Sequence, residues 1–118
     1  MNNNFIYYSP TTETVCKRKY LLFLEKSGFE IDKLHSEDDL RVYLQFKCPV
    51  GMIVTEDCLE DILQYITFPI LMILKPEKNA SSLMEKYMDL NIFFRFENDP
   101  ISTILETAIF MQKLNSYS

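Results

Sequence analysis

Short apolar runs alternate with longer, helix-like segments along the whole chain. Residues 50–54 and 70–74 are continuously apolar, which is typical of strands covered on both faces. Residues 29–34 alternate apolar and polar side chains with a period of two, which predicts a partly exposed edge strand. Residues 5–8 and 92–96 are rich in aromatic and β-branched side chains, as strands commonly are. The pattern therefore predicts five short strands.

The segments between these runs carry apolar stripes at helical spacing, and several of them have start or stop signals. Ser36 precedes three acidic residues, and Ser82 stands at capping-box spacing from Glu85. Asp99 precedes a proline, which predicts a cap followed by the first helical residue. Gly28 predicts the end of the first helix. Five helices are expected in all, the third over residues 59–66.

Strict alternation of strands and helices predicts an α/β fold in which parallel strands are joined by right-handed crossovers and helices cover both faces. With residues 50–54 and 70–74 central, we expect a flavodoxin-like, three-layer (βα)5 sandwich with strand order 2-1-3-4-5. One such domain accounts for residues 1–118. Ligands of these sheets bind beside the carboxyl ends of the first and third strands, where Ser9, Pro10 and Thr55 stand.

Composition and charge narrow the classes of partner. The 118 residues are 47% hydrophobic, which is enough to bury a core. The formal net charge of -5 removes a general attraction to phosphate backbones, so we expect no nucleic-acid partner. Three cysteines without a C-x-x-C pair predict reduced thiols in the cytoplasm. Without a signal peptide or an apolar stretch of about 20 residues, no membrane contact is expected.

At this level the chain resembles the receiver domain of two-component response regulators, over essentially its full length. Architectural residues carry the resemblance: Gly28, Phe29 and Glu30 after the first helix, Pro49 and Pro69 before the third and fourth strands, and Asp99 with Pro100 before the last helix. The resemblance implies the same fold and a phosphoryl site at the carboxyl edge of the sheet.

This chain departs from the receiver pattern at each position of that site. Receivers use an acidic pair after the first strand, an Asp at the third, a Thr or Ser at the fourth and a Lys at the fifth. The corresponding residues here are Ser9, Pro10, Thr55, Leu74 and Arg95. Mg²⁺ prefers carboxylate and phosphate oxygens, and an acyl phosphate needs a carboxylate to form. We therefore expect a degenerate receiver with no catalytic residue, no metal and no cofactor.

Two alternatives stay open. In the first, Asp57 or Glu56 accepts a phosphoryl group in place of Thr55. A shift of one residue turns the side chain to the other face, and a shift of two moves it roughly 6–7 Å along the strand. Asp57 also suits the cap of the next helix. In the second alternative, an enzyme or small-ligand domain uses the strand-tip crevice through Ser9, Thr55 and Glu56.

The last strand and helix carry more apolar residues than one packed face requires. In receivers, the fourth helix, fifth strand and fifth helix form the usual dimer and partner face. The predicted interface consists of Phe94, Phe96, Ile109, Phe110, Met111 and Leu114. Deep burial of the last helix is the alternative. The sequence thus predicts a non-catalytic pseudo-receiver that binds a protein partner, with a homodimer as one form, independently of phosphorylation.

Overall fold

The computed structural model describes residues 3–9, 19–55, 63–65, 67–75, 80–88 and 91–116. The strands are β1 (Asn4–Tyr8), β2 (Glu30–Leu34), β3 (Gly51–Thr55), β4 (Ile70–Leu74) and β5 (Ile92–Phe96). All neighbouring strands pair in parallel, in the order β2-β1-β3-β4-β5. The predicted α/β class and strand order are therefore confirmed, and each strand lies within one residue of its predicted limits.

Four α-helices lie within the described residues: α1 (Lys19–Lys26), α2 (Glu37–Phe46), α3 (Ala80–Lys86) and α4 (Ile101–Ser116). The third of the five predicted helices is represented by one 3₁₀ turn, Leu63–Tyr65, since residues 56–62 lie outside the described part. None of the described helices has the length and apolar character needed to cross a membrane.

Each face of the sheet carries its own hydrophobic core, because alternate residues of a strand point to opposite faces. The core beneath α1 and α4, the α1/α4 core, includes Phe5, Tyr7, Leu21, Leu24, Ile53, Leu71, Ile104 and Ala108. The opposite α2/α3 core includes Ile6, Tyr8, Leu40, Met52, Val54, Ile70, Met72 and Leu74. Helices therefore cover both faces, as the alternation of elements predicts.

Gly28 ends α1 in the left-handed region, with φ 104°. The amide of Gly28 donates to the Glu25 carbonyl at 3.2 Å, and the amide of Phe29 donates to the Leu24 carbonyl at 3.1 Å. This pair of bonds is the Schellman arrangement, which favours glycine because a Cβ atom is strained at positive φ. Phe29 and Leu24 are both buried in the α1/α4 core. The turn at Gly28 is therefore packed against the core and leads directly into β2.

The start of α2 follows its prediction, whereas the starts of α3 and α4 do not. Ser36 is the N-cap of α2, and its side chain accepts a hydrogen bond from the Asp39 amide. Ser82 lies inside α3, which already begins at Ala80, so the predicted capping box is wrong. The Asp99 carboxylate accepts from the Phe96 amide, and the first turn of α4 closes on the Pro100 carbonyl. Asp99 therefore anchors the end of β5 and is not the cap of α4.

Candidate functional site

The carboxyl ends of β1 and β3 lie side by side at the edge of the sheet where ligands of this fold class bind. Tyr8 pairs with Val54, so the residues that follow them, Ser9 and Thr55, occupy neighbouring positions at this edge. Pro10, which comes next to Ser9, lies outside the described residues. The structure thus brings together two of the three tip residues predicted for β1 and β3.

Ser9 is tied to the end of β2. Its amide donates to the Leu34 carbonyl at 3.0 Å, and its own carbonyl lies 3.2 Å from Nδ1 of His35. The residue is only 5% exposed. His35 is exposed, but its ring contacts the residue that follows β1 through this hydrogen bond. Ser9 is therefore part of the packed edge and does not project from an open surface.

Thr55, Ile73 and Arg95 form one row across β3, β4 and β5. Thr55 pairs with Ile73, and Ile73 pairs with Arg95. Directly paired residues of neighbouring strands point to the same face, and Ile73 belongs to the α1/α4 core. A threonine and an arginine therefore flank an isoleucine in this row. None of these three side chains is a carboxylate.

Leu74, the residue matched by sequence to the receiver Thr or Ser, lies on the other face. It is fully buried in the α2/α3 core and pairs with Phe96. Leu74 is therefore a core residue, and Ile73 is the β4 side chain that lies between Thr55 and Arg95. Both side chains are aliphatic, so β4 presents no hydroxyl to this edge at either position.

Arg95 is half-buried and folds back onto its own strand. Its Nη1 donates to the Phe94 carbonyl at 2.7 Å. Its Nε is buried and has no hydrogen-bond partner among the described residues. The side chain is thus engaged with the backbone at the free edge of β5, on the side away from β4 and Thr55.

The acidic alternatives at this edge, Glu56 and Asp57, lie outside the described residues, as Pro10 does. Among the residues that are described, no three His, Cys, Asp or Glu side chains come together in a group that could hold a metal ion. In the part of the chain that the structure describes, the candidate site at the carboxyl edge therefore consists of Ser9, Thr55 and Arg95.

A polar network that the sequence pattern did not predict lies between β1, β2 and α2. The Tyr43 hydroxyl donates to Oδ2 of Asp32 at 2.7 Å and accepts a hydrogen bond from the side-chain amide of Asn4. Nζ of Lys47 lies 3.7 Å from the same Asp32 oxygen and 5.5 Å from the centre of the Tyr43 ring. Burial, followed by the hydrogen bond to Asp32, raises the pKa of Tyr43 well above its ordinary value near 10.

The period-two pattern of β2 hides this network, because it suggests that Ile31 faces the core and Asp32 faces water. Helices on both faces cover β2 in part, so residues 31–34 are all half-buried. The stripe of α2 likewise marks Tyr43 as apolar, although only its ring packs against the α2/α3 core. The signal available in the sequence is a tyrosine within an apolar stripe opposite an acidic strand residue.

Two pockets open at the amino edge of the sheet, opposite the predicted crevice. One, of about 260 Å³, is lined by Asn4, Glu30, Lys47 and Cys48. The other, of about 310 Å³, is lined by Cys48, Pro49, Thr67, Phe68, Pro69, Asn91 and Leu114. The exposed Cys48 borders both pockets. Both pockets lie where the strands begin, the edge opposite the usual ligand-binding edge of this fold class.

The predicted interface residues divide into three groups by exposure. Phe110 is 51% exposed, Leu114 is also exposed, and Phe94, Phe96 and Ile109 are half-buried. Met111 is completely buried in the α1/α4 core, so it has no surface to offer a partner. The rings of Phe93 and Phe110 meet edge to face with centroids 5.6 Å apart. We call the group Phe93, Ile109, Phe110 and Leu114 the α4 surface.

Other large apolar side chains are exposed away from the α4 surface. Phe46, at the end of α2, is 81% exposed, and Val42 on the same helix is exposed as well. Met84 and Met88 are exposed on and just after α3. Phe46 and Val42 lie off the buried stripe of α2, and this off-stripe position is the sequence signal for their exposure.

The chain matches no protein-family model and no curated protein with which it was compared.

Proposed function

We propose that the chain is a pseudo-receiver, a (βα)5 receiver-like domain that binds another protein in the cytoplasm without enzymatic or phosphoryl-transfer chemistry. The observation that carries the proposal is the row of Thr55, Ile73 and Arg95 at the carboxyl edge of the sheet. In a receiver, carboxylates at this edge bind Mg²⁺ and accept the phosphoryl group. The row of Thr55, Ile73 and Arg95 contains no carboxylate for either purpose.

Electrostatics supports the proposal. A divalent cation is usually bound through one or two carboxylates together with phosphate oxygens. Thr55 contributes at most a neutral hydroxyl, and Ile73 contributes no donor atom. The Arg95 guanidinium is itself a cation, and its hydrogen bond goes to the Phe94 carbonyl at 2.7 Å. The row therefore supplies no negative charge that would offset the cost of dehydrating Mg²⁺.

The α4 surface supports binding through protein contacts. Phe110 rests edge to face on Phe93, so its ring is held in place although half of it is exposed. Leu114 follows one turn later on the same side of α4 and is exposed too. Pre-positioned aromatic rings lose little entropy on binding and are common anchors of protein interfaces. A second copy of the chain is the partner that we propose.

Sedimentation velocity over a range of concentrations tests this function, with and without acetyl phosphate and Mg²⁺. We expect concentration-dependent association that is the same in both conditions. Phe110→Glu should weaken the association at least about tenfold, which corresponds to about 1.4 kcal/mol. Phe46→Glu places the same charge on another exposed phenylalanine, on α2, and serves as the matched control that leaves association unchanged.

Three results would overturn the proposal. A chain that stays monomeric at every concentration has no second copy as its partner. Equal association of Phe110→Glu and wild type would exclude the α4 surface. The addition of one phosphoryl mass, mapped to Glu56 or Asp57, would establish the atypical phosphoacceptor alternative.

A further inference from the structure

β5 forms one free edge of the sheet, and its sequence is Ile-Phe-Phe-Arg-Phe. Edge strands with unpaired backbone groups act as templates for pairing with another chain, above all when they are apolar and rich in aromatic residues. Two copies of β5 joined antiparallel about Phe94 would place Ile92 opposite Phe96. Such cross-strand apolar and aromatic pairs stabilise a sheet. The strand is therefore a hazard for self-pairing unless something covers it.

The backbone groups at the free edge belong to Ile92, Phe94 and Phe96. The Ile70 amide donates to the Asn91 carbonyl at 3.0 Å, and the Glu97 amide donates to the Leu74 carbonyl at 2.7 Å. In a parallel ladder, alternate residues direct both of their backbone groups to the same neighbour. The odd-numbered residues thus direct their backbone groups to β4, and the backbone groups of the even-numbered residues point away from the sheet.

Three of these six outward groups are already engaged within the chain. Arg95 donates from Nη1 to the Phe94 carbonyl at 2.7 Å. Asp99 takes both groups of Phe96, because its Oδ2 accepts from the Phe96 amide at 2.8 Å and its own amide donates to the Phe96 carbonyl at 3.0 Å. The carboxyl half of the edge is therefore occupied by intramolecular hydrogen bonds.

The Arg95 side chain is committed to the Phe94 carbonyl. Within the described residues it forms no ion pair, and the bond to Phe94 is the one hydrogen bond made by its side chain. A partly buried guanidinium loses hydration, and a strong carbonyl acceptor offsets part of that loss. A charged side chain at an edge also disfavours the approach of a second strand.

We propose that Arg95 and Asp99 form an edge guard that prevents the β5 strands of two copies from pairing. The guard leaves the α4 surface accessible while it blocks continuation of the sheet. It does not depend on the proposed function, since it concerns the backbone of β5 and not the side chains of α4.

Sedimentation velocity of the guard variant Arg95→Ala/Asp99→Ala tests the proposal. The matched control is Arg41→Ala/Asp38→Ala, which removes an exposed Arg–Asp pair on α2. Each double variant loses one positive and one negative charge, so the formal net charge stays at -5. We expect the guard variant to form larger species than wild type and the control do at the same concentration. An unchanged distribution for a folded guard variant would overturn the proposal.

A third substitution separates strand pairing from partial unfolding. Ile92 is the first residue of β5 and its amide points outward, so Ile92→Pro removes no hydrogen bond to β4. Added to the guard variant, Ile92→Pro should restore the wild-type distribution, whereas Phe110→Glu should not. Association that survives Ile92→Pro would show that exposed core, and not the β5 edge, causes it, and would overturn the edge guard.

Discussion

The Cε atom of Met111 lies 2.5 Å from the position that a Cβ atom would take on Gly51. The missing side chain at the start of β3 therefore makes the space that Met111 fills. The Pro69 carbonyl and the Phe5 ring close the same space, at 2.9 Å and 3.1 Å from that position. This relationship explains why Met111 belongs to the core, although its helical position suggested a surface residue.

Gly51→Ala should lower the free energy of unfolding by about 1–3 kcal/mol, the usual cost of overpacking a core. Met111 can move, but the Pro69 carbonyl is backbone and its position also serves the hydrogen bond from the Met52 amide. Urea denaturation monitored by circular dichroism gives the value. A Gly51→Ala protein as stable as wild type would contradict the close packing of α4 on β3.

Ser36→Ala should destabilise the protein by about 0.5–2 kcal/mol, because the Asp39 amide loses its acceptor at the start of α2. Ser82→Ala is the matched control, since Ser82 is exposed inside α3 and alanine is the better helix former there. Urea denaturation of both variants should show a loss for Ser36 alone. A comparable loss of stability for Ser82→Ala would support the capping box that the sequence suggested.

Tyr43→Phe should cost about 1–3 kcal/mol at neutral pH, because it removes the hydrogen bond to Asp32 and leaves the side-chain amide of Asn4 without this acceptor. Asn4 is only 8% exposed, so water replaces the lost bond poorly. Urea denaturation at pH near 7 measures the difference from wild type. No difference would mean that the network contributes nothing to stability.

The same pair of proteins gives a pH dependence of known sign. The pKa of Tyr43 is raised on folding, mainly by burial, so the folded state keeps its hydroxyl protonated where the unfolded chain has lost the proton. The contribution of Tyr43 is therefore complete below about pH 10 and declines as the pH rises above that value. The stability difference between wild type and Tyr43→Phe should therefore stay constant up to about pH 10 and shrink as the pH rises further. A constant difference would contradict the raised pKa.

The sheet was predictable because its signals are local. Continuous apolar residues at 70–74 and the aromatic run at 92–96 give the limits of β4 and β5 as observed. Gly28 and Ser36 also act through bonds to residues within five positions, which a sequence pattern can capture.

Features that depend on tertiary contacts were not predictable in the same way. Met111 is buried because Gly51, sixty residues earlier in the chain, lacks a side chain. Asp99 looks like a helix cap in the sequence, yet its carboxylate binds the Phe96 amide at the edge of β5. At the site, the sequence shows that a threonine stands at the end of β3. It does not show that Ile73 lies between Thr55 and Arg95, because that arrangement depends on the strand register.

The pseudo-receiver proposal is tested most directly by a titration with Mg²⁺, followed by beryllofluoride, observed through the backbone amide resonances of Ser9, Thr55 and Lys75. These three residues stand at the carboxyl ends of β1, β3 and β4. We expect no saturable shift of any of the three, because the described row of Thr55, Ile73 and Arg95 offers the cation no carboxylate. Saturable shifts at Ser9 and Thr55 with Mg²⁺, enhanced by beryllofluoride, would contradict the pseudo-receiver proposal.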